Sequence, residues 1–175
     1  MIEHPSFSFR SSGFTLIEAV ITMIVVGVLA TIGATIISGG FRNYFLGREI
    51  AQDDAQGRLA LERMSRELRA VRSTADLNIG TQNQVSFTDL SGTAIAYRLN
   101  AASQIERSQN GVAGTYRPLA DNVSALTITY LHNDGVSAES YTGSSALVYY
   151  ITVALTVKTS NVNLTYRTTV KPAVF

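Results

Sequence analysis

Cysteine and tryptophan are absent from this chain of 175 residues, proline occurs three times and histidine twice. Without cysteine there is no disulfide, no thiolate nucleophile and no thiolate metal site. A chain exported to an oxidising compartment could have used disulfides. This one has to hold its folded part together by packing and strand pairing alone. His4 lies in a short polar leader, so beyond it only His132 remains, and metal sites built on His or Cys are excluded. Hydroxyls are plentiful, but no serine has a base at a credible spacing or sits in a nucleophile-elbow motif. The net charge is +1, so no global field argues for nucleic acid or acidic substrates. After Ser73 six basic and six acidic residues balance one another. Tyrosine and phenylalanine supply all the aromatic surface.

What the chain does have is a polar leader that ends in Gly13 and an apolar run that follows at once. Ala19 to Phe41 is 23 residues without a formal charge, enough to cross a hydrocarbon core of about 30 Å as a helix. Glu18 stands at the head of that run, and an ionisable residue in a membrane-length segment is a functional hypothesis by default. A secretory signal peptide, cut after Val28-Leu29-Ala30, would account for part of this. Glu18 and the continuation of the apolar run past Ala30 count against it. A plain signal anchor leaves the glycine and the glutamate unexplained.

The junction Gly13-Phe14-Thr15-Leu16-Ile17-Glu18 resembles the processing motif of type IV prepilins and the related pseudopilins of type II secretion. In that family a membrane aspartyl protease, the prepilin peptidase, cuts after the glycine and methylates the new terminal amine. The resemblance therefore assigns Gly13 and Phe14 to processing. Glycine before the cut lets the backbone lie flat in a protease cleft. The leader carries Arg10, and a positive end stays on the cytoplasmic side. Glu18 follows Phe14 by four residues, one helical turn on the same face. Glu18 of one subunit would then pair with the Phe14 amine of a neighbour in a filament. Two buried charges that neutralise each other remove a penalty of several kcal/mol per ion, and only one axial offset brings them together. The plainer alternative is that Glu18 snorkels to the headgroups.

Beyond Ser38-Gly39-Gly40 the composition changes. Residues 41–72 hold seven arginines and five acids, with Leu61, Met64, Leu68 and Val71 at spacings of three, four and three. This predicts an amphipathic helix whose narrow apolar stripe docks on the rest of the chain. Glu62 and Arg66 stand at i, i+4 in the favourable order. The arginines, interleaved with acids, read as a solvated face rather than a nucleic-acid site. An unbroken helix from Phe14 to Arg72 would span about 88 Å. Gly33, Gly39, Gly40, Gly47 and Gly57 fall in it, each costing about 1 kcal/mol relative to alanine. Gly39-Gly40 is the expected flexible point, unless small residues there serve close helix approach.

From Ser73 the periodicity switches to alternation: Val85/Phe87, Ile95/Tyr97/Leu99, Leu126/Ile128/Tyr130, Ile151 to Val157 and Val162 to Val170. These predict half-buried antiparallel strands in one sheet of five to seven. Ser91-Gly92, Lys158 to Asn161 and Asn133-Asp134-Gly135 read as turns. Pro118 and Pro172 are expected at strand ends. His132 to Ala146 reads as a surface loop that contacts a partner subunit. Its Asp134 and Glu139 match no defensible calcium spacing. Asn122-Val123-Ser124 and Asn163-Leu164-Thr165 match the glycosylation pattern, and are read as ordinary strand-edge residues.

The expected fold is α+β: a long N-terminal helix, membrane-spanning in its first half, packed on a C-terminal antiparallel β-sheet head. The expected divisions are a leader at 1–13, a helix at 14–72 (transmembrane about 14–41, amphipathic 42–72) and a head at 73–175. The stretch from Arg58 to Arg69, with Pro118 to Leu126, resembles J-type pseudopilins and W-type minor pilins. The resemblance implies a minor, non-enzymatic subunit with no cofactor, anchored in the inner membrane before assembly, its head periplasmic or extracellular. Its partners would be prepilin peptidase, other pilin or pseudopilin subunits, the inner-membrane assembly platform and the lipid bilayer, with no nucleic acid. The family's usual C-terminal disulfide loop is missing, which puts an adhesive role tied to that loop in doubt. Two rivals remain: a pilus-borne DNA or adhesion receptor, and a membrane-anchored periplasmic enzyme or binding protein.

Overall fold

The computed structural model describes residues 13–110 and 115–173. The leader residues 1–12, with His4 and Arg10, lie outside the described residues. One helix, α1 (Leu16–Arg69), precedes eight strands: β1 (Leu77–Thr81), β2 (Gln84–Thr88), β3 (Ala94–Leu99), β4 (Ile105–Gln109), β5 (Arg117–Ala120), β6 (Val123–Leu131), β7 (Tyr150–Thr159) and β8 (Val162–Val170). The chain forms two compact units that divide between Leu46 and Gly47.

In the first unit α1 has no partner element among the described residues. Its residues from Leu16 to Phe45 are almost all solvent-exposed, and its most apolar window has a mean hydropathy of 2.5 with none of it buried. Helical hydrogen bonding runs without a break through Gly33, Gly39, Gly40, Gly47 and Gly57. The expected flexible point at Gly39-Gly40 is thus helical here, because a glycine lowers helix propensity without removing a backbone donor.

In the second unit the rest of α1 carries the expected stripe. Ala60, Leu61, Met64 and Leu68 of α1 are buried in one core with residues of all eight strands, and Val71, expected on the same helix, joins that core just past the helix end, where it bridges Asp89. The helix ends where its last carbonyls find donors elsewhere: Ala70 O accepts from Leu90 N–H and Arg69 O from Ala173 N–H. These bonds satisfy acceptors that a helix C-terminus otherwise leaves to water.

The strands form two antiparallel sheets, of five (order β1-β2-β3-β4-β5) and three (order β6-β7-β8), instead of a single sheet. The break falls at Asp121-Asn122. Asn122 takes a left-handed backbone (φ 56°), and its side chain donates to the buried Asp53 carboxylate at 3.0 Å. The chain turns there, so β6 pairs with β7 rather than with β5. Asn122 is therefore a turn residue tied to the helix, not an ordinary strand-edge residue. Alternation correctly locates β2, β3, β6, β7 and β8. It misses β1, β4 and β5, of which β4 buries only Ile105 and Ser108. Pro118 lies inside edge strand β5, opposite Glu106, where a missing N–H is tolerated. Pro172 follows the end of β8 as expected.

Candidate processing and assembly site

The local sequence explains where α1 begins. Thr15 O accepts from Ala19 N–H at 3.1 Å, the first helical bond. Thr15 Oγ1 accepts from Glu18 N–H at 3.3 Å. Thr15 is therefore the N-cap and Glu18 the third helical residue, the spacing of a capping box. A carboxylate in the first turn also complements the positive end of the helix dipole. The sequence carried this signal in Thr15-x-x-Glu18, and reading Glu18 for its charge alone passed over it.

Gly13 lies outside the helix, and a Cβ placed on it would meet nothing within 4 Å. Phe14 is 73% exposed and Glu18 is exposed. The structure thus places Gly13, Phe14 and Glu18 at the exposed start of α1, with Gly13-Phe14 outside the helix and Glu18 inside its first turn.

Along α1, Gly27, Gly33, Gly39, Gly40 and Gly47 likewise have nothing within 4 Å of a built Cβ. At about 100° per residue, Gly33, Gly40 and Gly47 fall within about 60° of Glu18 around the helix axis. Phe41, Tyr44 and Phe45 are exposed, the first just before Arg42 and the other two between Arg42 and Arg48.

The polar loop 132–146 engages its own carboxylates. Asp134 accepts from the N–H groups of Val136 and Ser137, each at 2.9 Å, and from the Ser137 hydroxyl. The Ser137 hydroxyl, followed by those amides, brings its pKa down to about 2. Glu139 lies 2.8 Å from His132 Nε2. The two carboxylates serve different partners, and no cluster of three or more potential metal ligands occurs among the described residues.

Residues 8–34 match the prokaryotic N-terminal methylation motif family. No curated protein matches the chain. The motif belongs to structural subunits rather than catalysts. Residues 8–12 of the match precede the described residues, and the remainder is the capped start and first turns of α1. The chain carries the prokaryotic N-terminal methylation motif, typical of type IV pilins and pseudopilins and of precursors processed by prepilin peptidase, at the head of a long apolar helix.

Proposed function

We propose that this protein is a minor subunit of a type IV pilus or type II secretion pseudopilus. It is cut after Gly13, N-methylated on Phe14, held in the inner membrane by the first half of α1, and then assembled through that half. The observation that carries this reading is a motif match coinciding with a capped helix start and an unpartnered apolar helix. The glycines of α1's first unit add support. Each costs about 1 kcal/mol in a helix, yet no contact among the described residues requires any of them. Close approach by another helix would.

Glu18 is the assembly residue in this account. The terminal amine of a neighbour's Phe14 neutralises it as the helices pack away from lipid, which fixes the axial offset. Leu61, Met64, Leu68 and Val71 then hold the head on the helix. The resemblance of Arg58 to Arg69 and of Pro118 to Leu126 to J-type pseudopilins and W-type minor pilins supports a minor position. The proposed divisions remain leader 1–13, helix 14–72 and head 73–175.

Mass spectrometry of the mature amino terminus tests the processing step. N-methylated Phe14 is the expected result, and an intact leader or a start at Thr31 overturns it. Glu18→Ala should be cleaved yet enter filaments poorly. Thr15→Ala separates the local from the intermolecular role, because it removes the cap, about 1 kcal/mol, and keeps the carboxylate. If Thr15→Ala blocks assembly as completely as Glu18→Ala, registry by charge is wrong.

A further inference from the structure

We propose that an arginine-walled groove between the second half of α1 and edge strand β5 binds an acidic segment of a partner protein other than this chain. Arg63, Arg107 and Arg117 line a cavity of about 380 Å³ that no carboxylate lines. A neighbouring hollow of about 430 Å³ shares Arg63 and Leu119 with it and is lined besides by Leu59, Arg66 and Glu67, the carboxylate that Arg63 and Arg107 already neutralise. Arg63 and Arg107 bind Glu67 through Nε. Each guanidinium has five N–H donors, so others remain for a ligand. Arg117 is exposed and pairs with no carboxylate among the described residues. Three guanidiniums line one cavity together with Pro118 and Leu119, a mixture that suits carboxylates interleaved with apolar side chains.

A second copy of this chain is a poor donor of such a segment. Asp54, Glu62, Glu67, Asp76 and Glu106 are already paired with arginine. Asp53 is buried, and Asp89 and Asp134 accept from N–H groups of their own turns. Among the described residues no two neighbouring carboxylates are left free to enter the groove. A nucleic-acid duplex fits less well, because its affinity comes from a run of phosphate contacts along a basic stripe. Here the basic wall is short and shares the lining with Pro118 and Leu119. Pro118 removes a donor from the β5 edge, so recognition runs through side chains rather than strand addition. The groove lies wholly in the unit from Gly47 onward, so it stands or falls apart from cleavage at Gly13.

The test uses the full chain in non-ionic detergent and a short fluorescent peptide alternating glutamate with leucine, read by anisotropy. Saturable binding is expected, weakened about tenfold by Arg117→Glu. Lys158→Glu, an equal change of charge outside the groove, should leave it unchanged. Leu119→Ser should also weaken it, and decides the matter if Arg117→Glu melts early by circular dichroism. Equal binding by the Arg117 and Lys158 variants overturns the proposal, as does equal binding of a lysine-leucine peptide. Complete displacement by an equal concentration of inorganic phosphate would show an adventitious ion site only. Tighter binding of a short DNA duplex would overturn it in favour of nucleic acid.

Discussion

Arg107 Nε donates to both carboxylate oxygens of Glu67, at 3.1 and 2.9 Å, across a sequence separation of 40 residues. The same carboxylate accepts from the Tyr97 hydroxyl at 2.6 Å and from Arg63 Nε at 3.1 Å. One side chain on α1 thereby ties the helix to β3 and β4. The pair is well covered, with side chains 11% and 18% exposed. Removing one partner therefore leaves the other desolvated.

Glu67→Ala should destabilise the folded chain by about 3 kcal/mol, and Arg107→Ala by a similar amount. The double variant should lose less than the sum, since neither residue is then left as an unpaired charge. Glu62→Ala breaks a pair whose side chains are 75% and 66% exposed. It should cost no more than about 0.5 kcal/mol. Guanidinium denaturation of the full chain in detergent measures all four.

The same carboxylate makes stability depend on pH. Burial pushes the Glu67 carboxyl up, but hydrogen bonds from Arg107, Tyr97 and Arg63 together outweigh it and hold it below its ordinary value. A depressed folded value means that the stabilisation is fully present above the unfolded value of about 4.3 and is lost as pH falls through the folded one. Asp76, held down to about 2 by Arg72 and Ser73, extends the decline from about pH 3.9 downward in a salt-sensitive way. Thermal midpoints across this acid range should fall for the wild type and fall less for Glu67→Gln.

Gly57 should not tolerate alanine. A Cβ there would lie 2.7 Å from Val157 Cγ2, and Val157 is fully buried. The gain of about 1 kcal/mol in helix propensity is outweighed, so Gly57→Ala should cost about 1–2 kcal/mol overall. Adding Val157→Ala should relieve the clash and shrink the combined loss below the sum of the two single changes. Gly40→Ala meets nothing within 4 Å. It should raise the stability of the isolated chain by up to about 1 kcal/mol and impair filament entry.

Tyr130 is fully buried, and its hydroxyl has no hydrogen-bond partner among the described residues. Its ring packs edge-on against Tyr141 at 6.1 Å. Tyr130→Phe keeps that contact and removes a desolvated hydroxyl, so melting should be unchanged or raised. A loss above about 1 kcal/mol would mean that the hydroxyl is satisfied, for which a buried water is the natural partner.

Much of this architecture was legible along the chain because the relevant physics is local. Helix spacing from Leu61 to Val71 found the docking stripe, and alternation found the five strands that bury one face. β1 was equally legible in Leu77 and Ile79 and was overlooked. β4 was not, because Arg107 and Glu106 occupy it as partners of Glu67 and Arg98 rather than as an apolar face. β5 was hidden by Pro118, whose tolerance depends on an edge that only the sheet creates.

The amino-acid sequence by itself determined the N-terminal methylation motif, the membrane-length run with one carboxylate at its head, and the α+β class. Those properties depend on neighbours within a turn or a strand, and adjacent residues encode them. Only the tertiary structure decided that the strands divide into two sheets, that Asp53 is buried against Asn122 and Thr159, and that Glu67 gathers Arg63, Tyr97 and Arg107. It also decided that three arginines share one groove. Each of these depends on side chains far apart in sequence meeting at hydrogen-bond distance, and no local periodicity carries such a meeting.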